Sequence, residues 1–305
     1  MNRISVRING ISKSYNNVKA LDNINLSIKK EELFGFIGPD GAGKTSLFRI
    51  LTTLLFPDKG TAKVENFDVV ADYKEIRKIA GYMPGRFSLY QDLSVKENLN
   101  FFASIFKTTV QENYELIKDI YSQIEPFKNR LAGDLSGGMK QKLALSCALI
   151  HKPEVLFLDE PTTGVDAVSR KEFWEMLKRL KEKGITILVS TPYMDEASLC
   201  DRVALIQNGK IMSVETPQNI IDDFKYPLAA VQTNNMYELL YDLRRNKNVY
   251  SAFRFGESIH ITERKSLINT DEIKEYLKSK GHKQIDIKII KPNIEDCFMA
   301  LMEQQ

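Results

Sequence analysis

Leu33–Ile37 is a nearly continuous apolar run that leads directly into Gly38-Pro39-Asp40-Gly41-Ala42-Gly43-Lys44-Thr45. Such a run fits a strand buried on both faces, as found in parallel sheets covered by helices. Lys44–Leu54 then reads as a helix, so strand, glycine loop and helix follow in succession. The loop fits the pattern G-x-x-x-x-G-K-[ST]. Its consecutive backbone N–H groups form an anion nest at the positive end of the helix, which suits a phosphate. Gly38, Gly41 and Gly43 let the backbone turn tightly and approach that phosphate with no Cβ in the way. By itself the pattern implies only that a nucleoside triphosphate binds.

The flanking sequence extends this unit into a domain. Ile4–Ile8 and Ile24–Ile28 alternate apolar and polar residues, as half-buried strands do. Asn98–Phe106 and Tyr114–Ile124 carry apolar residues at helical spacing and are expected to form a helical arm, with Phe101, Phe102 and Phe106 in its core. Gly138–Leu149 reads as a helix, Val155–Leu158 as a buried strand, Ser169–Lys183 as a helix and Ile185–Ser190 as another buried strand. Strands alternating with helices predict the α/β class, a mainly parallel sheet with helices on both faces.

Around Asp222–Pro227 the pattern changes. Strand (Leu228–Gln232), helix (Met236–Asn246), and strands (Val249–Phe255 and Ser258–Thr262) follow. A helix (Asp271–Lys280), a strand (Gln284–Ile290) and a last helix (Ile294–Met302) complete the chain. That β-α-β-β-α-β order is ferredoxin-like. It predicts a small C-terminal α+β domain over residues 223–305, after a larger domain over 1–222 whose helical arm covers about 90–150.

Two further motifs narrow the reading. One is Leu135-Ser136-Gly137-Gly138-Met139-Lys140-Gln141; the other is Val155-Leu156-Phe157-Leu158-Asp159-Glu160, an apolar strand ending in two carboxylates. Paired acids after a strand could, in isolation, be only a solvated loop. In order with the glycine loop, the three resemble the ATP-binding subunit of an ABC (ATP-binding cassette) transporter, over roughly the first 215 residues. The resemblance implies a P-loop cassette that takes ATP and Mg²⁺. Pro39, Asp40, Ala42 and Ser46 would then join the glycines in the nucleotide cradle, with the Asp40 carboxylate turned outward from the phosphates. Lys44 would reach the β- and γ-phosphates, and the Thr45 hydroxyl would ligate Mg²⁺. Asp159 would hold the ion directly or through water, and Glu160 is the candidate base that orients the attacking water.

The resemblance also implies a dimer. Ser136 is a good helix N-cap, and Gly137-Gly138 leave the end of the following helix uncovered, an end that favours anions. In the family each such signature closes over the nucleotide held by the other chain. Asp166 matches the acid that crosses this interface. Tyr15 matches the aromatic that stacks on adenine, although taken alone it could equally be an ordinary strand tyrosine.

Two positions depart from the family pattern. A glutamine usually follows the Gly81-Tyr82-Met83-Pro84 segment, touching Mg²⁺ and sensing the permease; here Gly85 stands there, and Gln91 lies too far on to replace it. A histidine that contacts the γ-phosphate usually follows the strand Ile185–Ser190; here Pro192 occupies its place and can donate nothing. Losing one preorganised donor costs about 10²–10³ in rate. The chain is therefore expected to bind MgATP well, to hydrolyse it slowly at its own site, and to pair with a different cassette. The alternative is that both residues are tolerated, with Glu160 sufficient. Arg86-Phe87-Ser88-Leu89-Tyr90 is expected to receive a segment of the permease, with core packing under the arm as the alternative.

Composition excludes other classes. A net charge of +3 is too mild to argue for nucleic acid, and Arg244, Arg245 and Lys247 read as a solvated helix face. The three cysteines lack metal-ligand spacing and are expected to be reduced thiols. The start has no apolar signal core, and no run approaches the ~20 apolar residues of a membrane span. The expected location is cytoplasmic, peripheral on the inner face of the cell membrane, with the permease on separate chains. The tail and the segment Tyr193–Ala197 resemble the exporter branch, including drug-efflux systems. An energising ATPase subunit is thus the first expectation, and a nucleotide-gated binding subunit of an asymmetric heterodimer the second. A soluble ATPase acting on ribosomes or DNA is disfavoured, because such proteins fuse two cassettes or carry long insertions.

Overall fold

A computed structural model describes residues 3–263 and 267–303. The chain divides into two compact units, Met1–Thr216 and Pro217–Gln305, so the helix Pro217–Asp222 belongs to the second unit and not to the first. The first unit begins with β1 (Ile4–Tyr15), β2 (Val18–Lys29), β3 (Leu33–Ile37), α1 (Lys44–Leu51), β4 (Lys59–Val64) and β5 (Phe67–Asp68). It continues through α2 (Tyr73–Ile79), β6 (Ala80–Met83), α3 (Val95–Ile105), α4 (Tyr114–Tyr121) and α5 (Gly137–Leu149). It closes with β7 (Val155–Asp159), α6 (Ala167–Glu182), β8 (Thr186–Thr191), β9 (Arg202–Gln207) and β10 (Lys210–Glu215).

These strands form two sheets. A six-stranded sheet has the order β10-β9-β3-β8-β7-β6 and is parallel except for the β9–β10 pair. Every residue of β3, β7 and β8 is buried, as a strand covered on both faces requires. A second, antiparallel sheet, β2-β1-β4-β5, was not anticipated from the sequence, where only parts of β1 and β2 were legible.

The core beneath the glycine loop is aromatic. Phe34, Phe36, Phe48 and Phe157 form a chain of edge-to-face contacts with centroids 5.1, 5.5 and 5.9 Å apart, tying β3, α1 and β7 together. Such pairs add about 0.5–1.5 kcal/mol each beyond burial. Phe48 is fully buried at the middle of this chain. Phe48→Ala is expected to cost about 3–5 kcal/mol, read as a lower denaturation midpoint; an unchanged midpoint would contradict this packing.

Parallel register brings three strand ends together. Ile37 on β3 lies beside Thr191 on β8, and Ser190 lies beside Asp159 on β7. Ligands of open α/β sheets bind beyond such carboxyl ends. The helical arm is set by its own signals: Ser94 and Glu97 form a reciprocal capping box at the start of α3. Its aromatics correct an expectation. Phe101 is exposed, while Phe102 and Phe106 are half-buried, so none of the three is a core residue.

The second unit comprises α7 (Pro217–Asp222), β11 (Leu228–Gln232), α8 (Met236–Arg245), β12 (Val249–Phe255), β13 (Ser258–Glu263), α9 (Thr270–Ser279), β14 (Asp286–Ile289) and α10 (Ile294–Glu303). Its sheet order β12-β13-β11-β14, antiparallel throughout, is the ferredoxin-like arrangement. Ala229, Val231, Ile259 and Ile261 pack against Leu239 and Leu243 of α8 and against Ile273 and Leu277 of α9. Among the described residues no helix is long and apolar enough to cross a membrane.

Candidate nucleotide-binding site

The glycine loop follows β3 and is pressed against its surroundings. A Cβ on Gly38 would sit 2.0 Å from the carbonyl oxygen of Ile206, so no side chain fits there. Gly43 has φ of 103°, a left-handed conformation, and a Cβ on it would lie 2.3 Å from Ala20 O. Asp40 and Gly41 are exposed at the loop's tip, and Ala42 is buried beneath it. Lys44 is buried, its Nζ donating to Gly38 O at 2.7 Å and Pro39 O at 2.9 Å. The same Nζ lies 3.8 Å from Glu160 Oε1. Burial pulls the Lys44 ammonium below its usual pKa, against the opposing charges of Glu160, Asp40 and Asp159.

Thr45 and Asp159 meet at this site. The Thr45 hydroxyl donates to Asp159 Oδ1 at 3.1 Å, and Ser190 Oγ donates to the same oxygen at 2.6 Å. A hydroxyl beside a buried carboxylate is a hard-oxygen donor set that suits Mg²⁺ shared with phosphates. No cluster of three or more His, Cys, Asp or Glu side chains able to cage a metal occurs among the described residues. The donors present therefore fit an ion completed by nucleotide oxygens.

Glu160 is held in an uncommon backbone state. Its φ is 50°, left-handed for a residue that precedes proline, and conformations of this kind cost about 1–3 kcal/mol. Its N–H donates to Ser190 O at 3.0 Å and Ser190 Oγ at 3.1 Å. Two residues on, Thr162 Oγ1 donates to Glu196 Oε1 at 2.8 Å, deep in the interior. These bonds fix a turn that delivers the Glu160 carboxylate to Lys44. Burial raises its pKa; Lys44 acts against this, and the neighbouring Asp159 and Asp40 act with it. Ser190 and Glu196 were not singled out from the sequence, because only strand register and tertiary packing connect them to the acids.

The remaining candidates lie on two further segments and on β1. Ser136 caps α5, its Oγ accepting from Met139 N at 3.4 Å, and both Ser136 and Gly137 are exposed. Gly138 does more than leave the helix end bare: a Cβ there would meet Ser169 Oγ at 2.9 Å, so this glycine lets α5 pack on the first turn of α6. Asp166, expected to reach across an interface, spends one carboxylate oxygen capping α6, accepting from Val168 N at 3.1 Å and Ser169 N at 3.0 Å. Tyr15 stands at the exposed end of β1, with its hydroxyl 3.3 Å from Ser46 Oγ.

The two departures are also placed. A Cβ on Gly85 would lie 3.1 Å from Asp159 O and 3.7 Å from Glu160 Cβ, so position 85 looks directly onto the paired acids. Gln91 lies instead beside Gly133, whose N–H it accepts through its backbone oxygen at 3.0 Å. Pro192 follows Thr191, whose Oγ1 accepts from Tyr193 N at 3.0 Å. Beyond Gly85 opens an apolar groove of about 410 Å³, walled by Tyr82, Leu89, Phe102, Ile105, Phe106 and His151. His151 stacks on Phe106 at 3.8 Å, and burial pushes its pKa down to about 4, so its ring is uncharged at neutral pH, and the groove's lining charge comes from Arg77. Leu89 is buried, Phe87 half-buried and Tyr90 exposed, with Tyr90 set edge-on to Phe101.

Comparison with known proteins agrees with this geometry. Residues 21–163 match the family model described as ABC transporter. The chain is 35% identical over 309 residues to the probable multidrug ABC transporter ATP-binding protein YbhF of Escherichia coli, covering 99% of this chain and 53% of that protein. It thus spans about half the length of that relative. It is 30% identical over 303 residues to the Nod factor export ATP-binding protein I of Mesorhizobium japonicum, covering 98% of this chain and 86% of the relative. Among solved structures, the dimeric post-hydrolysis state of the ATP-binding cassette MJ0796 bound to ADP and Pi superposes with a TM-score of 0.63. The two are 28% identical, and the match covers 69% of this chain and 98% of that one. The chain belongs to the ABC transporter family, as an ATP-binding cassette.

Proposed function

We propose that this chain is the energising subunit of an exporter, closing on a second cassette as ATP binds and parting from it after hydrolysis. The observation that carries the reading is the meeting of Lys44, Thr45, Asp159 and Glu160 at the ends of β3 and β7. Lys44 and the loop N–H groups hold the phosphates, and Thr45 and Asp159 would hold Mg²⁺, which would supply positive charge against the charge that develops on the phosphates. Glu160 orients the attacking water, its raised pKa favouring proton uptake. Tyr15 stacks on the base. The exposed helix end at Ser136 and Gly137, with Asp166 beside the turn that follows Glu160, faces the nucleotide of the opposite cassette. The dimeric relative with ADP and Pi bound supports this assembly; the names of the two curated relatives support export.

The finer reading is an asymmetric heterodimer. Gly85 and Pro192 deprive this chain's own site of two donors, while its signature remains able to complete a partner's site. The second reading, a binding subunit in which ATP acts as a structural ligand, is favoured by the same two residues. The protein then works in the cytoplasm on the inner face of the membrane, beside permease chains, and residues 223–305 act as an accessory domain for regulation or subunit contact.

The groove next to Gly85 is where the permease docks in this reading. Introducing a charge at Phe87 or Tyr90, which flank the groove-lining Ser88 and Leu89, by Phe87→Asp or Tyr90→Asp is expected to abolish co-purification with a co-expressed permease while leaving ATP affinity within about twofold, since burying an unpaired charge costs several kcal/mol. Survival of the complex in both variants would overturn the docking assignment.

A further inference from the structure

The tip of β1 projects past its neighbour on one side. β1 pairs with β2 as far as Tyr15↔Val18, but its pairing with β4 ends at Ser12↔Lys59. Beyond that point the backbone of Ser14 has no strand partner on the β4 side. The gap is filled by a side chain: Asp58 Oδ2 accepts from Ser14 N at 2.7 Å. Asp58 N donates to Ser12 O at 2.9 Å, so the residue first ends the ladder and then continues it through its carboxylate. Its other oxygen takes the Lys13 ammonium at 2.6 Å, and that ammonium lies 6.0 Å from the centre of the Tyr15 ring. Two of the three bonds reach the residues immediately before Tyr15, and the Lys13 side chain is mostly covered, 15% exposed.

Tyr15 needs such support. It is 43% exposed and is followed by Asn16, whose φ of 51° turns the chain back. Among the described residues its hydroxyl has one hydrogen-bond contact, the long one to Ser46. An aromatic ring stacks usefully only if its plane is held before the ligand arrives; otherwise its ordering cost is charged against binding. We propose that Asp58 is the positioning residue that aims Tyr15 at the base of the nucleotide, so that part of the affinity for ATP depends on a carboxylate that touches no part of the ligand. The inference rests on the reading of Tyr15 as the base-stacking residue.

Calorimetric binding of MgATP and of magnesium tripolyphosphate, which has phosphates but no base, tests it. Tyr15→Ala is expected to weaken MgATP about tenfold and leave tripolyphosphate unchanged, in line with the usual worth of base stacking. Asp58→Ala should reproduce that selective loss, by about three- to tenfold, and should add nothing to Tyr15→Ala in the double variant. Asp58→Asn keeps an acceptor for Ser14 N–H and is expected to lose less than Asp58→Ala; it also serves if the alanine variant folds poorly. If Tyr15→Ala is selective but neither Asp58 variant differs from the parent, the clamp is wrong. Equal weakening of both ligands by Asp58→Ala and Asp58→Asn would make Asp58 a general structural residue and overturn it too. A Tyr15→Ala protein that binds MgATP normally would instead remove the stacking assignment on which the clamp stands.

Discussion

Combining Gly85→Gln with Pro192→His is expected to raise ATP turnover at this chain's own site by about 10²–10³. The geometry makes the gain reachable. A side chain at position 85 would begin 3.1 Å from Asp159 O and 3.7 Å from Glu160 Cβ, so an amide could reach an ion held by Thr45 and Asp159. The Cβ is tight against that carbonyl and requires a shift of a few tenths of an ångström, which exposed Gly85 can supply. At 192, histidine would return both a side-chain donor and a backbone N–H where proline has neither. Steady-state phosphate release from the purified variant is the measurement. A rate unchanged from the parent would mean that Glu160 already suffices and that the asymmetric model is unnecessary.

Glu160→Gln should act in the opposite direction. Loss of a positioned general base typically lowers a rate about 10²–10⁴-fold. Binding should survive and tighten, because the substitution removes a negative charge from beside Lys44 and the phosphates while keeping the side chain's size. Placed in the assembled transporter, the variant separates the two functional readings. If this site turns over, transport stops and the nucleotide-closed dimer accumulates. If only occupancy matters, transport continues at close to the parental rate.

The parts of this site legible in the sequence were those encoded locally. The glycine loop, the acids after β7 and the capped start of α5 are each contiguous, and β11 and β12 fall where their apolar runs predict. The ferredoxin-like order was readable because each element there is short, well bounded and amphipathic. β4, β5, β6, β9, β10 and α2 went unread: β5 and β6 have too few residues to establish a period, and the mostly exposed β4 shows no apolar face. What escaped in the site depends on register. Ser190 reaches Asp159 only because β7 and β8 pair as they do, and Glu196 reaches Thr162 across 34 residues. Asp166 shows a different limit: family resemblance suggested an intermolecular role, while the Asp166-Ala167-Val168-Ser169 sequence already carried the helix cap that the fold uses.

In the proposed mechanism two cassettes share each nucleotide. A structure of the Glu160→Gln protein with MgATP, solved together with its partner cassette, tests this most directly. The predicted result is a triphosphate contacted by Lys44 and the glycine loop of this chain, with the partner's signature against its γ-phosphate, while Ser136 and Gly137 of this chain close the partner's own site. A triphosphate touched by one polypeptide alone, with Ser136 and Gly137 facing solvent in the closed assembly, would contradict it.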